Sequence, residues 1–161
     1  MTSNISAAYA ALDATTVTFT LLGQSRTPVV KTLSEIPNTI NAGDLPLRLL
    51  LSMESVGDGE RMDFLTIGAG ASGGSFHMRW KITDLMLAIP SAQGQGIKSV
   101  AASLVSYCGK YADMARNSRN LATGISIEHL TLAAGTYTYP GEAGTPYFGV
   151  QATLDLVEIV S

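Results

Sequence analysis

The sequence SFHMRWKITDLMLAIP at residues 75–90 decides the fold. Its first half alternates between apolar and polar side chains, the apolar ones being Phe76, Met78, Trp80 and Ile82. An alternation with a period of two predicts a β-strand with one buried face. Past Asp84 the apolar side chains change parity and occupy odd positions, namely Leu85, Leu87 and Ile89. The sequence therefore predicts one long strand, about 76–89, with a second apolar face at its end.

The last predicted strand shows the same change of parity. Its apolar side chains stand first at Val150, Ala152, Leu154 and Leu156 and then at Val157 and Ile159. A shift of one residue moves every later side chain to the opposite face of a sheet. One explanation is a subunit that buries the second face against a neighbour, with candidate interface residues Leu85, Leu87, Val157 and Ile159. The other is a β-bulge, or a strand that its own chain covers on both faces.

A helix and a long hairpin follow the first of these strands. From about Ile97 to Asn117 the apolar residues recur at the i, i+3, i+4 spacing of a helix packed on a sheet. Residues 125–139 and 147–160 form the two arms of a hairpin, because a turn-forming tip at 140–146 separates them. Tyr137 and Tyr139 flank this tip and are further candidate contact residues.

Together these elements predict an α+β fold. The predicted sheet is mostly antiparallel, with an N-terminal helix ending near Leu12 and the main amphipathic helix packed on it. Its long C-terminal hairpin completes the sheet. Shorter strands are predicted at 15–22, 28–31, 47–52 and 61–67. The chain of 161 residues is expected to form a single domain over residues 1–161.

The composition predicts that much of the surface is covered by something other than water. Only 14% of the residues are charged, whereas about 25% is usual. No apolar run approaches the ~18 residues of a membrane-spanning helix, so a membrane is not the expected cover. The net charge of −3 and the lack of a basic tract argue against tight binding of nucleic acid. The single Cys108 is consistent with synthesis in a reducing compartment.

No motif in the sequence predicts catalysis. The stretch Gly68-Ala69-Gly70-Ala71-Ser72-Gly73 resembles a dinucleotide loop, but a predicted strand follows it where that site needs a helix. His77 and His129 lack neighbours at metal-ligand spacing, and Cys108 stands in the apolar stripe of the helix, where a thiol is usually inert. The sequence therefore predicts a protein that is not an enzyme and that has no cofactor or metal.

Several segments resemble the small head–tail junction proteins of tailed bacteriophages, especially the tail terminators. The resemblance rests on the order of the elements and on four segments: 33–40 (LSEIPNTI), 42–46 (AGDLP), 79–84 (RWKITD) and 147–150 (YFGV). It implies a structural virion protein, made in the host cytoplasm, that forms a homohexameric ring on the tail tube. Its implied partners are the tail tube protein and a head-side connector or stopper protein, with genomic DNA passing through the lumen without specific binding.

Two alternatives stay open. The chain could be another neck subunit, such as a stopper or an adaptor, or the tail tube protein itself. In a different class, it could be a small ligand-binding α+β module with its site near Arg79, Trp80 and residues 91–96.

Overall fold

Two helices and nine strands form the part of the chain that the computed structural model describes, which is residues 3–55, 63–65, 75–92, 96–139 and 144–160. The helices are α1 (Ile5–Asp13) and α2 (Gly96–Asn117). The strands are β1 (Phe19–Leu21), β2 (Gln24–Arg26), β3 (Val29–Thr32), β4 (Leu47–Ser55), β5 (Asp63–Leu65), β6 (Ser75–Pro90), β7 (Asn120–Ala122), β8 (Ile125–Thr138) and β9 (Pro146–Val160). Single 3₁₀ turns at Leu33–Glu35 and Ala42–Asp44 interrupt the segment before β4.

The main sheet has seven strands and is antiparallel apart from one pair. Its order is β3-β4-β6-β9-β8-β7, and β5 also pairs with β6. The parallel pair is β3 with β4. Strands β1 and β2 form a separate two-stranded sheet. The α+β class, the N-terminal helix, the main helix and the C-terminal hairpin are confirmed.

Apolar side chains are buried on both faces of the main sheet. On one face, α1 and α2 cover a large cluster that includes Ile82, Met86, Leu154 and Leu156. On the other face, the irregular segment 33–46 covers a smaller cluster, in which the buried residues are Leu47, Leu49, Leu85, Leu87, Tyr139 and Tyr147. This segment is held in place because the hydroxyl of Tyr139 donates to the carbonyl oxygen of Pro37.

The strand does not slip at Asp84, and the change of apolar parity there reflects a strand that its own chain covers on both faces. Ile82, Asp84 and Met86 are all buried, and Asp84 contacts Tyr111 of α2, so they share the face that carries the helices. The register of β6 shifts only later, between Leu87 and Ile89. Asp84 is polar but buried on the same face as Ile82 and Met86, so the sequence pattern looks like a shift of one residue.

The same explanation applies to β9. Leu154, Leu156 and Glu158 are buried in phase, and Glu158 contacts the start of α1. Val157 and Ile159 therefore lie on the opposite face of the sheet, together with the other odd-numbered residues of this part of β9, and the strand does not slip before them.

The shorter elements match the predictions in part. Only Phe19–Leu21 of the predicted strand 15–22 is a strand, whereas β4 extends beyond the predicted 47–52. Of the predicted strand 61–67, residues 63–65 form β5. The glycine-rich stretch at 68–73 and most of the hairpin tip, 140–143, lie outside the described residues.

Gly149 occupies the closest approach between two central strands. It pairs with Leu87 beside the irregularity in β6. A Cβ atom added at Gly149 would lie 2.1 Å from the carbonyl oxygen of Met86. Because the obstacle is backbone, no side chain can move aside to relieve the overlap.

We predict that Gly149→Ala lowers the free energy of unfolding by about 1–3 kcal/mol, because it overpacks the centre of the sheet. Gly109→Ala is the control, since Gly109 lies in α2 with nothing within 4 Å of the added Cβ. That variant should gain about 0.5–1 kcal/mol. Urea unfolding followed by circular dichroism measures both, and equal stabilities would contradict the close approach.

Candidate functional site

A buried ion pair joins the two strands at the centre of the helix-covered face. Arg48 of β4 donates from Nε to Oδ2 of Asp84 of β6 at 2.7 Å, and each side chain is 1% exposed. Nη2 of Arg48 also lies 2.7 Å from Oδ2, at ion-pair distance but without hydrogen-bond geometry. The pair lies where β4 and β6 are antiparallel neighbours, with Arg48 opposite Met86.

Two further groups complete the surroundings of this pair. Nη1 of Arg48 donates to the carbonyl oxygen of Thr15 at 2.7 Å and to its Oγ1 at 3.1 Å. The hydroxyl of Tyr111 donates to Oδ2 of Asp84 at 2.6 Å, and its ring lies 5.5 Å from Cζ of Arg48. The network thus connects β4, β6, α2 and the segment between α1 and β1.

Arg48 and the two buried tyrosines beside it, Tyr107 and Tyr111, keep their protons near neutral pH. Burial, the largest influence, lowers the pKa of Arg48, but the charge and the hydrogen bond of Asp84 together with the two nearby tyrosines outweigh it and keep that pKa above its ordinary value. Burial, followed by the charge of Asp84, holds the pKa values of Tyr107 and Tyr111 well above the usual range. Groups that keep their protons and are closed to solvent do not serve as general acids or bases. This centre is structural.

A second buried carboxylate, Glu158, caps the first helix from the last strand. Its Oε1 accepts from the backbone N–H of Asn4 at 2.5 Å, and its Oε2 accepts from Oγ of Ser3 at 2.7 Å. Asn4 is the N-cap residue of α1, but its own side chain does not cap the helix. A negative charge at this end stabilises the free N–H groups of a helix.

Glu158 also accepts a hydrogen bond from Trp80, which makes this tryptophan part of the packed structure. The indole Nε1 donates to Oε2 of Glu158 at 2.9 Å, and the ring packs against the main core. Arg79, the residue before it, belongs to the opposite face of β6. Residue 91 lies beyond the far end of that strand, roughly 35 Å away at the usual rise per residue. The suggested ligand site near Arg79, Trp80 and residues 91–96 is therefore wrong in geometry, and residues 93–95 lie outside the described part.

The other chemically reactive side chains are dispersed. Cys108 is free and half-buried in α2, and burial raises the pKa of its thiol. His77 and His129 lie on β6 and β8. Among the described residues, no group of three or more histidine, cysteine, aspartate or glutamate side chains has the geometry to hold a metal ion.

Three of the six candidate interface residues are buried by their own chain. These are Leu85, Leu87 and Tyr139, whose side chains the segment 33–46 covers. Within β6 the intrachain explanation is therefore correct, and the expectation of a neighbouring copy there is wrong. The remaining three keep some exposure, since Val157 and Tyr137 are half-buried and Ile159 is 50% exposed. The hydroxyl of Tyr137 already donates to the carbonyl oxygen of Ala133.

Val157 and Ile159 adjoin a polar part of the sheet face that segment 33–46 leaves open. A row of paired residues crosses β4, β6, β9 and β8, and acidic and basic side chains alternate along it in the order Glu54, Lys81, Asp155 and His129. Beside this row, Arg79 and Glu128 lie 3.8 Å apart, but both side chains are exposed and the pair adds little stability. The small recess between them measures about 110 Å³. This size and the balanced charge fit a solvated surface better than a ligand site.

Comparison with known proteins gives no family for this chain. A scan against protein-family models and a search of curated proteins both found no match. Within the described residues, neither helix has the length and hydropathy needed to cross a membrane.

We predict opposite effects for two neighbouring tyrosines at pH 7. Tyr111→Phe should destabilise the fold by about 1–3 kcal/mol, because the buried carboxylate of Asp84 loses a donor. Tyr107→Phe should be neutral or stabilising, because the buried hydroxyl of Tyr107 has no hydrogen-bond partner. Chemical unfolding of both variants measures the difference, and equal losses would contradict it.

We also predict that stability falls above pH 10. Each buried tyrosine keeps its proton in the folded state, whereas the unfolded chain releases it near pH 10. The contribution of these tyrosines to stability is therefore constant below that pH and decreases by about 1.4 kcal/mol per pH unit for each of them above it. Tyr107→Phe removes one of these groups, so the decline measured in urea at pH 10–11 should become shallower. An unchanged slope would mean that Tyr107 has the same pKa in the folded and the unfolded chain.

Proposed function

We propose that this chain is a structural subunit of a homohexameric ring at the head–tail junction of a tailed bacteriophage, most simply a tail terminator. The ring would cap the tail tube, contact a head-side connector or stopper protein and let DNA pass. The proposal rests on the resemblance of the sequence to this family. It is supported by surfaces that suit assembly and by the dispersed arrangement of the reactive side chains.

The observation that supports the ring is the presence of two exposed apolar surfaces, one on α2 and one near the end of β9. The first, the α2 flank, is defined by four exposed apolar residues: Ile97, Ala101, Val105 and Ala112. At 100° per residue these positions lie within about 80° of one another around the helix. Ile97 is 47% exposed and Val105 is 69% exposed.

The second surface, the β9 patch, consists of Val157 and Ile159. It belongs to the face of the sheet that does not carry α2. Joining one surface of a subunit to a different surface of the next produces a head-to-tail contact, which closes into a ring when the rotation allows. A subunit with two unlike apolar surfaces has what such a contact requires.

The charges are compatible with DNA passing through such a ring. The net charge is −3, and the row from Glu54 to His129 mixes acidic and basic groups. DNA binding without sequence preference depends on concentrated positive charge. A lumen without it would not hold the phosphates. A stopper, an adaptor and a tube subunit share these features, and the number of copies per particle would separate the terminator from the tube protein.

We predict that Val105→Glu and Ile159→Lys each convert a ring of about six copies into monomers. Each change puts a charge on one of the two apolar surfaces, at an exposed position that leaves the core intact. Lys110→Glu, at an exposed position about 140° from Val105 around the same helix, is the control and should assemble normally. Native mass spectrometry gives the number of copies, and circular dichroism checks that the monomers are folded.

A mixture of the two variants sharpens the test. Each variant retains the surface that the other has lost, so an equal mixture should form dimers that grow no further. Rings from either variant alone would show that its surface is not a contact. A wild-type chain that stays monomeric at every concentration would contradict a ring that closes by itself.

A further inference from the structure

We infer that the outer edge of β8 is a self-association surface, which pairs antiparallel with the same edge of a second copy. The inference goes beyond the ring proposed above and does not depend on it. It concerns Leu130–Thr138, called the β8 edge below.

The β8 edge has a pairing strand on one side only. Strand β9 pairs with β8 along its length, but on the other side β7 and the residue before it bond only to Ile125–Ile127. Among the described strands, none pairs with the outer side of Leu130–Thr138. Alternate N–H and C=O groups of this stretch therefore point away from the sheet, and such groups can pair with another strand.

The β8 edge also lacks the features that usually protect an exposed edge. The sequence Leu130–Thr138 contains no charged residue and no proline. The opposite end of the sheet differs, because β3 is four residues long, follows Pro28 and carries Lys31. Short length, proline and lysine are the means by which natural proteins block edge-to-edge pairing. One end of this sheet is blocked and the other is left open.

A second copy of β8 is the occupant that the sequence favours. An antiparallel pair related by a two-fold axis brings the residues near the axis close to their own copies, so a charge there would be repelled by its own copy. The β8 edge carries none. Its middle is Ala133-Ala134-Gly135, and side chains this small let two backbones approach closely. Among the described strands, β8 is also the only long strand with an unpaired edge, so a second copy of β8 can supply the matching unpaired groups.

The side chains of this stretch favour the same partner. Leu130 and Leu132 are only half-buried where they pack against the main core. A second β8 strand beside them would extend the sheet and cover more of their apolar surface. Glu128 and His129 lie before the stretch, so pairing centred on Ala134 keeps each of them away from its own copy.

The size of the assembly separates this inference from the ring. The β8 contact alone gives dimers. If rings of six also form through the α2 flank and the β9 patch, the β8 contact joins two rings into twelve copies. Twelve copies that separate into rings of six when the β8 edge is charged would support this inference. A wild-type chain that forms only rings of six, unchanged in the charged variants, would leave the ring proposal intact and overturn it.

The experiment uses two opposite charges at the centre of the contact. Ala134 is exposed, so Ala134→Lys and Ala134→Glu should fold with melting temperatures close to that of the wild type. Each variant places two like charges near the axis, and we expect self-association at least about tenfold weaker. An equal mixture should restore association as Lys–Glu pairs, which native mass spectrometry resolves by mass. Ser25→Lys, on exposed β2, is the control and should associate like the wild type.

Three results would overturn the inference. They are a wild-type chain that is monomeric or purely six-membered, variants that associate like the wild type, and a mixture that does not recover. Hydrogen exchange on the wild-type chain gives a readout without any variant. The alternate amides of Leu130–Thr138 that point away from β9 should become at least about tenfold better protected as the protein concentration rises through the association range. Protection that does not depend on concentration would also contradict the contact.

Discussion

The buried ion pair between Arg48 and Asp84 is the constraint on which the arrangement of this fold depends. Two charges withdrawn from water are tolerated only when their partners are correctly placed, and removing one of them from a buried pair costs about 3–5 kcal/mol. Here the partners come from β4, β6, α2 and the segment after α1. A slip of β4 against β6 would leave both charges unpaired, so this contact selects the register of the central strands. The apolar clusters supply most of the stability but are less selective.

The sequence allowed the long elements to be predicted because their signals are local. The helix 96–117 and both arms of the hairpin follow from spacing within each segment. The change of apolar parity suggested a slip of the strands, which is wrong because Asp84 and Glu158 occupy buried positions in phase with their strands. Their partners are distant in sequence, Arg48 by 36 residues and Asn4 by 154. A one-dimensional pattern cannot show such pairing, so a buried carboxylate is taken for an exposed one.

Some candidate contact residues are buried by their own chain and others are exposed, and the sequence could not separate them because the covering segment is distant in sequence. Leu85, Leu87 and Tyr139 are covered by segment 33–46, an irregular segment whose sequence gives no periodic sign that it packs on a sheet. Val157 and Ile159 lie on an open part of the same face. The role of Arg48 as a buried charge was not predicted, because it stands in an apolar run and its leucine neighbours only indicate a buried strand. The β8 edge was also missed, since the freedom of an edge depends on the strand order of the whole sheet.

The contact between Glu158 and the start of α1 has a consequence for how the protein is made. The ribosome synthesises Asn4 long before Glu158, with 154 residues between them. At usual rates of 5–20 residues per second, the first helix waits roughly ten to thirty seconds for the carboxylate that caps it. Trp80 waits for the same group before its indole N–H is paired. A nascent chain therefore cannot close its fold early, and a product truncated before Glu158 would have a first helix without its cap and an unpaired indole N–H.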